Sequence, residues 1–390
     1  MKIVMSPKCR FWFGLFLLGL IYAVIAYAKT KDVLAGDEGG YLRIANDLAK
    51  GKLPQVNWWG PGYPLFLAPF VKLQVPLGYA KLANAGFLIG ATIYLRSSLL
   101  LYMTEQHARR IALLMGLYLP LFFYLHMIIS EKFAIFLMSA FCYHYLAMHE
   151  EGKGKSLHLI GASMSLAWLA LTKVFFGYVL MTLIFLALVG IWKWRLRLMK
   201  TLLVLLISML FCLPYVWHNY KLTGKMFYWA TSGGLSLYWM STPFPGETGT
   251  WFGNDELYKD KLPVHKDHYK LFEDVSSHSP VKRDDELKRA AIRNIFQHPL
   301  KFLFNVNANV LRMLLDFPYD FKLETWKTSW VVVPNMFLLT MFFASLYPAW
   351  LARRVIPLQI WAILALASIA FAGSSLLSAE SRMFTVLVPL

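Results

Sequence analysis

Cysteine is scarce in this chain of 390 residues: Cys9, Cys142 and Cys212 are the only three, each in or beside an apolar stretch. Three thiols at no metal-ligand spacing exclude a disulfide framework and a zinc site, and they read as small apolar-core residues. Charge is also sparse, at 16% of residues, and acid is the rarer sign, with 22 Asp and Glu against 39 Lys and Arg. No glycine-rich phosphate loop is present, so a nucleotide-linked substrate has no seat. No internal repeat or low-complexity tract occurs, which leaves an inverted-repeat transporter with little support.

What fills the chain is apolar. Hydrophobic residues make up 58% and the mean hydropathy is +0.49, and several apolar runs reach the ~20 residues needed to cross a bilayer. The formal net charge of +17 lies largely in short clusters at the ends of these runs, which is how membrane orientation is set. A nucleic-acid partner would want a soluble basic face instead. The pattern predicts an all-α polytopic membrane protein, residues 1–390 forming one membrane domain. Spans are expected at 11–28, 79–101, 109–128, 132–148, 157–172, 174–192, 199–217, 329–350 and 356–377. Arg109/Arg110, Lys153/Lys155, Lys193/Arg195/Arg197/Lys200 and Arg353/Arg354 then share the inner side with Lys2, Lys8 and Arg10. Ala26-Tyr27-Ala28 resembles a signal-peptidase site, but Phe11–Ala28 is long for a signal peptide and reads as an uncleaved first helix. The eight residues after Arg382 are too few to span as a helix, so the last span is expected to be cut short.

Two outer connections, 29–78 and 218–328, are too long to be turns, and long connections are commonly functional. In the first, Tyr41, Ile44, Ala45 and Leu48 recur at helical spacing opposite Arg43, Asp47 and Lys50, predicting an amphipathic helix along the membrane surface. In the second, one stripe is Leu287, Ala291 and Ile295, and another is Leu303, Val306, Val310, Leu311 and Leu314. Asn305, Asn309 and Arg312 make this last segment too polar for a lipid-facing span.

An acidic pair, Asp37-Glu38, follows the first span at its outer end. Carboxylates there are costly unless they do chemistry or meet a partner. Asp37 suits a general base that takes a proton from a nucleophile, and equally the N-cap of the helix that follows. Glu131 opens the fourth span on the same side. It would orient the base, hold an acceptor or, with Asp37, ligate a divalent metal; with Ser130 it also suits a helix start. Lys173 interrupts an apolar stretch and would pair with a lipid phosphate or a carboxylate, or snorkel to the interface. His218, Asn219 and Lys221 leave the seventh span, ahead of Thr231-Ser232-Gly233-Gly234. A lone histidine such as His218 is more often structural than a ligand. Trp58, Trp59, Trp217, Trp229, Trp239 and Trp251 would stack on sugars or form an aromatic belt. Arg382 suits phosphate, or an ion pair with Glu380.

In order, these motifs resemble the type C glycosyltransferases of the protein-mannosyltransferase and lipid A aminoarabinose-transferase group. The matching residues are Asp37-Glu38 with Tyr41 and Ile44-Ala45, then Gly60-Pro61-Gly62-Tyr63-Pro64-Leu65, Ser130-Glu131, Leu213-Pro214-Tyr215 with His218-Asn219-Tyr220 and Gly224, Gly233-Gly234, and Arg382. His218 and Lys173 stand where the family commonly has arginine. The resemblance implies a transmembrane helix bundle with amphipathic juxtamembrane helices in the two outer loops. It further implies inverting transfer of a sugar from a polyprenyl-phosphate donor to a lipid, glycan or protein acceptor, outside a bacterial inner membrane. Asp37, with Glu131, would carry the catalysis. Lys173, His218, Lys221 and Arg382 would hold the donor phosphate, and Glu38, Tyr41, Trp59, Tyr63 and Asn219 would line the sugar and acceptor pocket. A flippase of lipid-linked sugars and a silent relative are the alternatives. A flippase calls for acids along a path through the membrane, whereas here they gather at one boundary.

Overall fold

The computed structural model describes residues 7–28, 34, 36–53, 55, 58–150, 154–253, 257, 264–320 and 326–389, with the backbone alone at 7–8, 191–197 and 326–327. Lys2 and Lys153 therefore lie outside the described residues, as do the side chains of Lys8, Lys193, Arg195 and Arg197. Every regular element among the described residues is helical. In chain order these are α1 (Pro7–Ala28), α2 (Glu38–Ala49), α3 (Gly62–Lys72), α4 (Leu77–Leu99), α5 (Glu105–Gly116), α6 (Glu131–Ala147), α7 (Lys155–Thr172) and α8 (Phe175–Thr223). Then come α9 (Gly233–Met240), α10 (Lys266–Ser276), α11 (Pro280–Gln297), α12 (Pro299–Leu315), α13 (Trp326–Leu351), α14 (Leu358–Ser375) and α15 (Ser381–Phe384).

Among the described residues four stretches are long and apolar enough to cross a membrane: Cys9–Ala28, Leu198–Thr223, Thr328–Leu351 and Leu358–Ser375. The other expected spans are shorter or more polar. Residues 109–128 do not form one helix: α5 ends at Gly116, and a 3-10 turn at Leu119–Phe122 follows. Pro120 within that turn has no N–H to continue an α-helix. At 12 residues α5 is about 18 Å long, short of a bilayer. α4 carries Lys81, Asn84 and Arg96. α6 is apolar around nearly its whole circumference, so it sits inside, packed between α4 and α7.

α8 has 49 residues and would be about 73 Å long as a straight rod. Yet both of its ends meet Trp229: a Cβ on Gly177 would lie 2.4 Å from the indole, and the Tyr215 hydroxyl donates to the Trp229 carbonyl at 2.5 Å. Phe175–Gly190 and Leu198–Thr223 therefore run antiparallel, on the expected 174–192 and 199–217. Ser208 Oγ donates to the Ser163 carbonyl at 3.0 Å, which holds the second half alongside α7.

Helices α9 to α11 form a lobe around Leu235, Trp239, Phe272, Leu287 and Ala291, with α12 packed beside α9 and α11. In α12 the buried side is polar. Leu303 and Leu311 are exposed, and Asn305, Asn309 and Arg312 face inward. The physical reason is a set of backbone groups that only these side chains reach. Asn305 Nδ2 donates to the carbonyls of Met240 and Thr242, and Arg312 donates to those of Thr248, Gly249 and Pro318.

Candidate active site

Four charged residues from separate stretches meet at one end of the helices. Asp37 precedes α2, Glu131 opens α6, Lys173 follows α7, and Arg382 lies beyond α14. The chain alternates direction, so these four ends fall together. Lys155, at the other end of α7, and Arg353 and Arg354, before α14, mark the far end.

Asp37 does not cap its helix through its side chain. Its carboxylate turns instead to Arg382, with Nη1 3.1 Å from Oδ2. The same Nη1 is 3.7 Å from Glu131 Oε1, and Lys173 Nζ donates to that oxygen at 2.8 Å. Arg382 Nε lies 2.8 Å from Glu380 Oε2 but is not aligned for a hydrogen bond. Burial alone would weaken the Arg382 charge. Glu131, Glu380 and Asp37 overcome that, raising the guanidinium above its ordinary value and keeping it protonated.

These groups line a cavity of about 200 Å³ together with Tyr41, Trp59, Thr172, Ser236 and Ser378. That is smaller than the ~300–1,000 Å³ of typical ligand pockets; it suits a ring or a headgroup, not a whole lipid. Trp58 and Trp251 pair edge to face on its wall, ring centroids 5.9 Å apart. Among the described residues, Glu131 Oε2 and Thr172 Oγ1 are buried polar atoms of the lining with no hydrogen-bond partner. Buried polar groups are nearly always satisfied, so these are sites where a ligand's donors and acceptors fit.

The sequence shapes this wall locally. A Cβ on Gly60 would lie 2.0 Å from the Leu171 carbonyl, so only glycine lets the segment cross the last turn of α7. Trp168 Nε1 holds it there by donating to the Gly62 carbonyl at 2.8 Å. Trp59 lies over Gly40, where a side chain would collide with the indole. Glu131 is placed by the loop before it: Asn84 Nδ2 donates to the carbonyls of Leu125 and Met127, and the Tyr41 hydroxyl pairs with Ser130 Oγ at 2.8 Å.

The remaining sequence candidates stand outside the cavity. Glu38 is buried, accepts from the Ile128 N–H at 2.8 Å and faces Lys81 at 3.7 Å, so it braces the loop that carries Glu131. Tyr63 is buried edge-on against Tyr41. Asn219 is buried and donates to the Tyr228 carbonyl at 2.8 Å, tying down the exit of α8. Lys221 is exposed, its ammonium 5.5 Å from the Trp217 ring centre, and His218 is half-buried. Gly234 admits Asp284, which accepts its N–H at 2.6 Å, rather than a cavity ligand. Thr172, Ser236, Ser374 and Ser378 line the cavity without a sequence signal, being small polar residues common in any helix. Among the described residues no group of three or more His, Cys, Asp or Glu side chains is disposed to hold a metal ion.

No family model, curated protein or solved structure matches the chain. What is defined, among the described residues, is an all-helical protein with four helices long and apolar enough to cross a membrane and a charged cavity lined by residues at helix ends.

Proposed function

We propose that the chain is a polytopic membrane glycosyltransferase of the type C kind. It would transfer a sugar from a polyprenyl-phosphate donor to a lipid, glycan or protein acceptor on the outer side of a bacterial inner membrane. The observation that carries this reading is Asp37: its carboxylate leaves the helix it could cap and faces a cavity beside two cations. In the reaction, Asp37 takes the proton of the acceptor's nucleophile, which bonds to the anomeric carbon from the face opposite the phosphate. The bond from that carbon to the phosphate oxygen breaks, and its electron pair leaves with the lipid phosphate. Arg382 swings its fork from Asp37 to the phosphate, which frees the base, and Lys173 adds charge from beside Glu131. Preorganised cations of this type commonly supply several kcal/mol at the transition state. Glu131 holds Lys173 and Arg382 in place, and its free Oε2 accepts from the acceptor or the sugar. His218 and Lys221 stand outside this cavity.

Mass spectrometry of envelope glycans and glycolipids tests this reading in cells lacking the gene, complemented by the wild type or by Asp37→Asn. The wild type is expected to restore one sugar-bearing species and the variant to leave its unmodified acceptor, at equal protein level. Full restoration by Asp37→Asn would refute the assignment.

A further inference from the structure

Helix α12 is inverted relative to a helix washed by water. Its buried face is polar, with Asn305, Asn309 and Arg312 at 1% exposure or less. Its outer face is apolar: Leu300 is 81% exposed, Phe304 57%, Leu303 56% and Leu311 44%. Asn307 on that face turns its amide back to the Leu303 carbonyl at 3.0 Å. The apolar strip continues onto α11 through Ile292 and Phe296, the latter 82% exposed. A contiguous apolar surface on polar backing matches an apolar surrounding, since water favours the reverse. Its level is fixed by Asn309, which binds the carbonyls of Ser374, Ser375 and Leu377 at the end of α14. The strip thus lies beside the end of a helix able to cross a bilayer, where hydrocarbon gives way to headgroups.

A groove of about 580 Å³ adjoins it, walled by α11 and by parts of α9 and α10. Glu286, Ala290, Asn294 and Gln297 share the groove face of α11. At ~100° per residue, Arg289 and Arg293 fall between that face and Ile292 and Phe296. Arg293 has no hydrogen-bond or ion-pair partner among the described residues, and Arg289 reaches only the Asp285 carbonyl, at 3.4 Å. The groove's carboxylates face elsewhere: Glu286 toward His278 at 3.0 Å and Asp267 toward His265 at 3.5 Å. Two guanidinium charges without a carboxylate partner therefore stand over a groove at the edge of an apolar strip.

We propose that the α11–α12 elbow is a docking site for an anionic phospholipid, with acyl chains along Phe296, Leu300, Leu303 and Phe304 and the phosphate held by Arg289 and Arg293. The planar guanidinium fork matches phosphate oxygens, and a polar groove floor suits the rest of a headgroup. The site is separate from the Asp37 cavity and would bind lipid whether or not that cavity transfers sugar.

Two measurements on the full chain in lipid nanodiscs test it. Phe296→Cys in a Cys9→Ser background carries an environment-sensitive fluorophore, and quenching by acyl-chain doxyl lipid but not by aqueous iodide is expected. Quenching by iodide alone would put the strip in water, and shielding from both would put a second copy of the protein there; either overturns the proposal. In native mass spectrometry, Arg289→Gln with Arg293→Gln is expected to lower retention of phosphatidylglycerol roughly thirty-fold, with phosphatidylcholine and the melting temperature unchanged. Undiminished phosphatidylglycerol binding by the double variant would overturn it. So would inorganic phosphate binding as tightly as the lipid, which would mark a site for soluble anions.

Discussion

Asp37 and Arg382 stand 345 positions apart in the chain, and their ion pair closes one side of the cavity. That ion pair occupies the carboxylate, so in the proposed reaction Arg382 has to move before Asp37 can meet an acceptor's nucleophile. Arg382→Lys is therefore expected to keep the fold while lowering turnover, because an ammonium cannot offer the two-pronged phosphate contact. Single-turnover rates with a lipid-phosphate sugar check this against the wild type. Glu38 has the opposite signature. Glu38→Gln leaves Lys81 buried beside a neutral amide, and a loss of about 3 kcal/mol in stability is expected, with activity per folded molecule nearly kept. Chemical denaturation alongside the same rate assay separates the two effects. Asp37, Glu131, Lys173 and Arg382 were legible in the sequence because each charge sits at the end of an apolar run, where it needs a reason. The Glu38–Lys81 pairing was not legible, because nothing local to either residue points at a partner 43 positions away.

At the level of elements, the short segment between α14 and Arg382 is held from the lobe side. Asn309 Oδ1 accepts the Ala379 N–H at 3.0 Å, Ser378 Oγ donates to the Gly249 carbonyl at 2.6 Å, and Ser381 Oγ donates to Asp316 at 2.7 Å. Asn309→Leu strands several carbonyls at the end of α14. A destabilisation of about 2–3 kcal/mol is expected, together with weaker donor binding as Arg382 loses its support. A calorimetric titration with the lipid-phosphate donor measures the second effect. Within the lobe, burial pushes the Glu247 carboxyl up, and the His268 hydrogen bond and charge, Thr242 and the His265 N–H more than offset it, holding Glu247 below its usual value. A carboxyl depressed in the folded state stabilises above its unfolded pKa, and that contribution fades as the pH falls below about 4.5. Glu247→Gln should thus melt lower than the wild type at pH 7, with the gap narrowing as the pH falls below about 4.5, as scanning calorimetry would register. Which side of α12 faces protein was not legible in the sequence for a related reason: apolar spacing marks a stripe, but its orientation depends on the backbone groups that Asn305, Asn309 and Arg312 satisfy.

For the whole molecule, hydropathy made the helical class and the antiparallel halves of α8 readable. Four of the expected spans are long and apolar enough to cross a membrane among the described residues, and α4, α6 and α7 are shorter or more polar helices packed against their neighbours. The site is a product of this whole arrangement: four helix ends that alternate direction bring residues 37, 131, 173 and 382 to one place. The central claim is that this place breaks the bond between a sugar and a lipid phosphate, with Asp37 as base. The most direct test reconstitutes the purified protein in proteoliposomes with a polyprenyl-phosphate sugar and a membrane lipid extract, and measures release of free polyprenyl phosphate. The wild type should release it with the sugar transferred to an acceptor, and Asp37→Asn should do so at least ~100-fold more slowly at an unchanged melting temperature. Equal release by the variant, or donor carried intact across the bilayer by the wild type, would contradict the account.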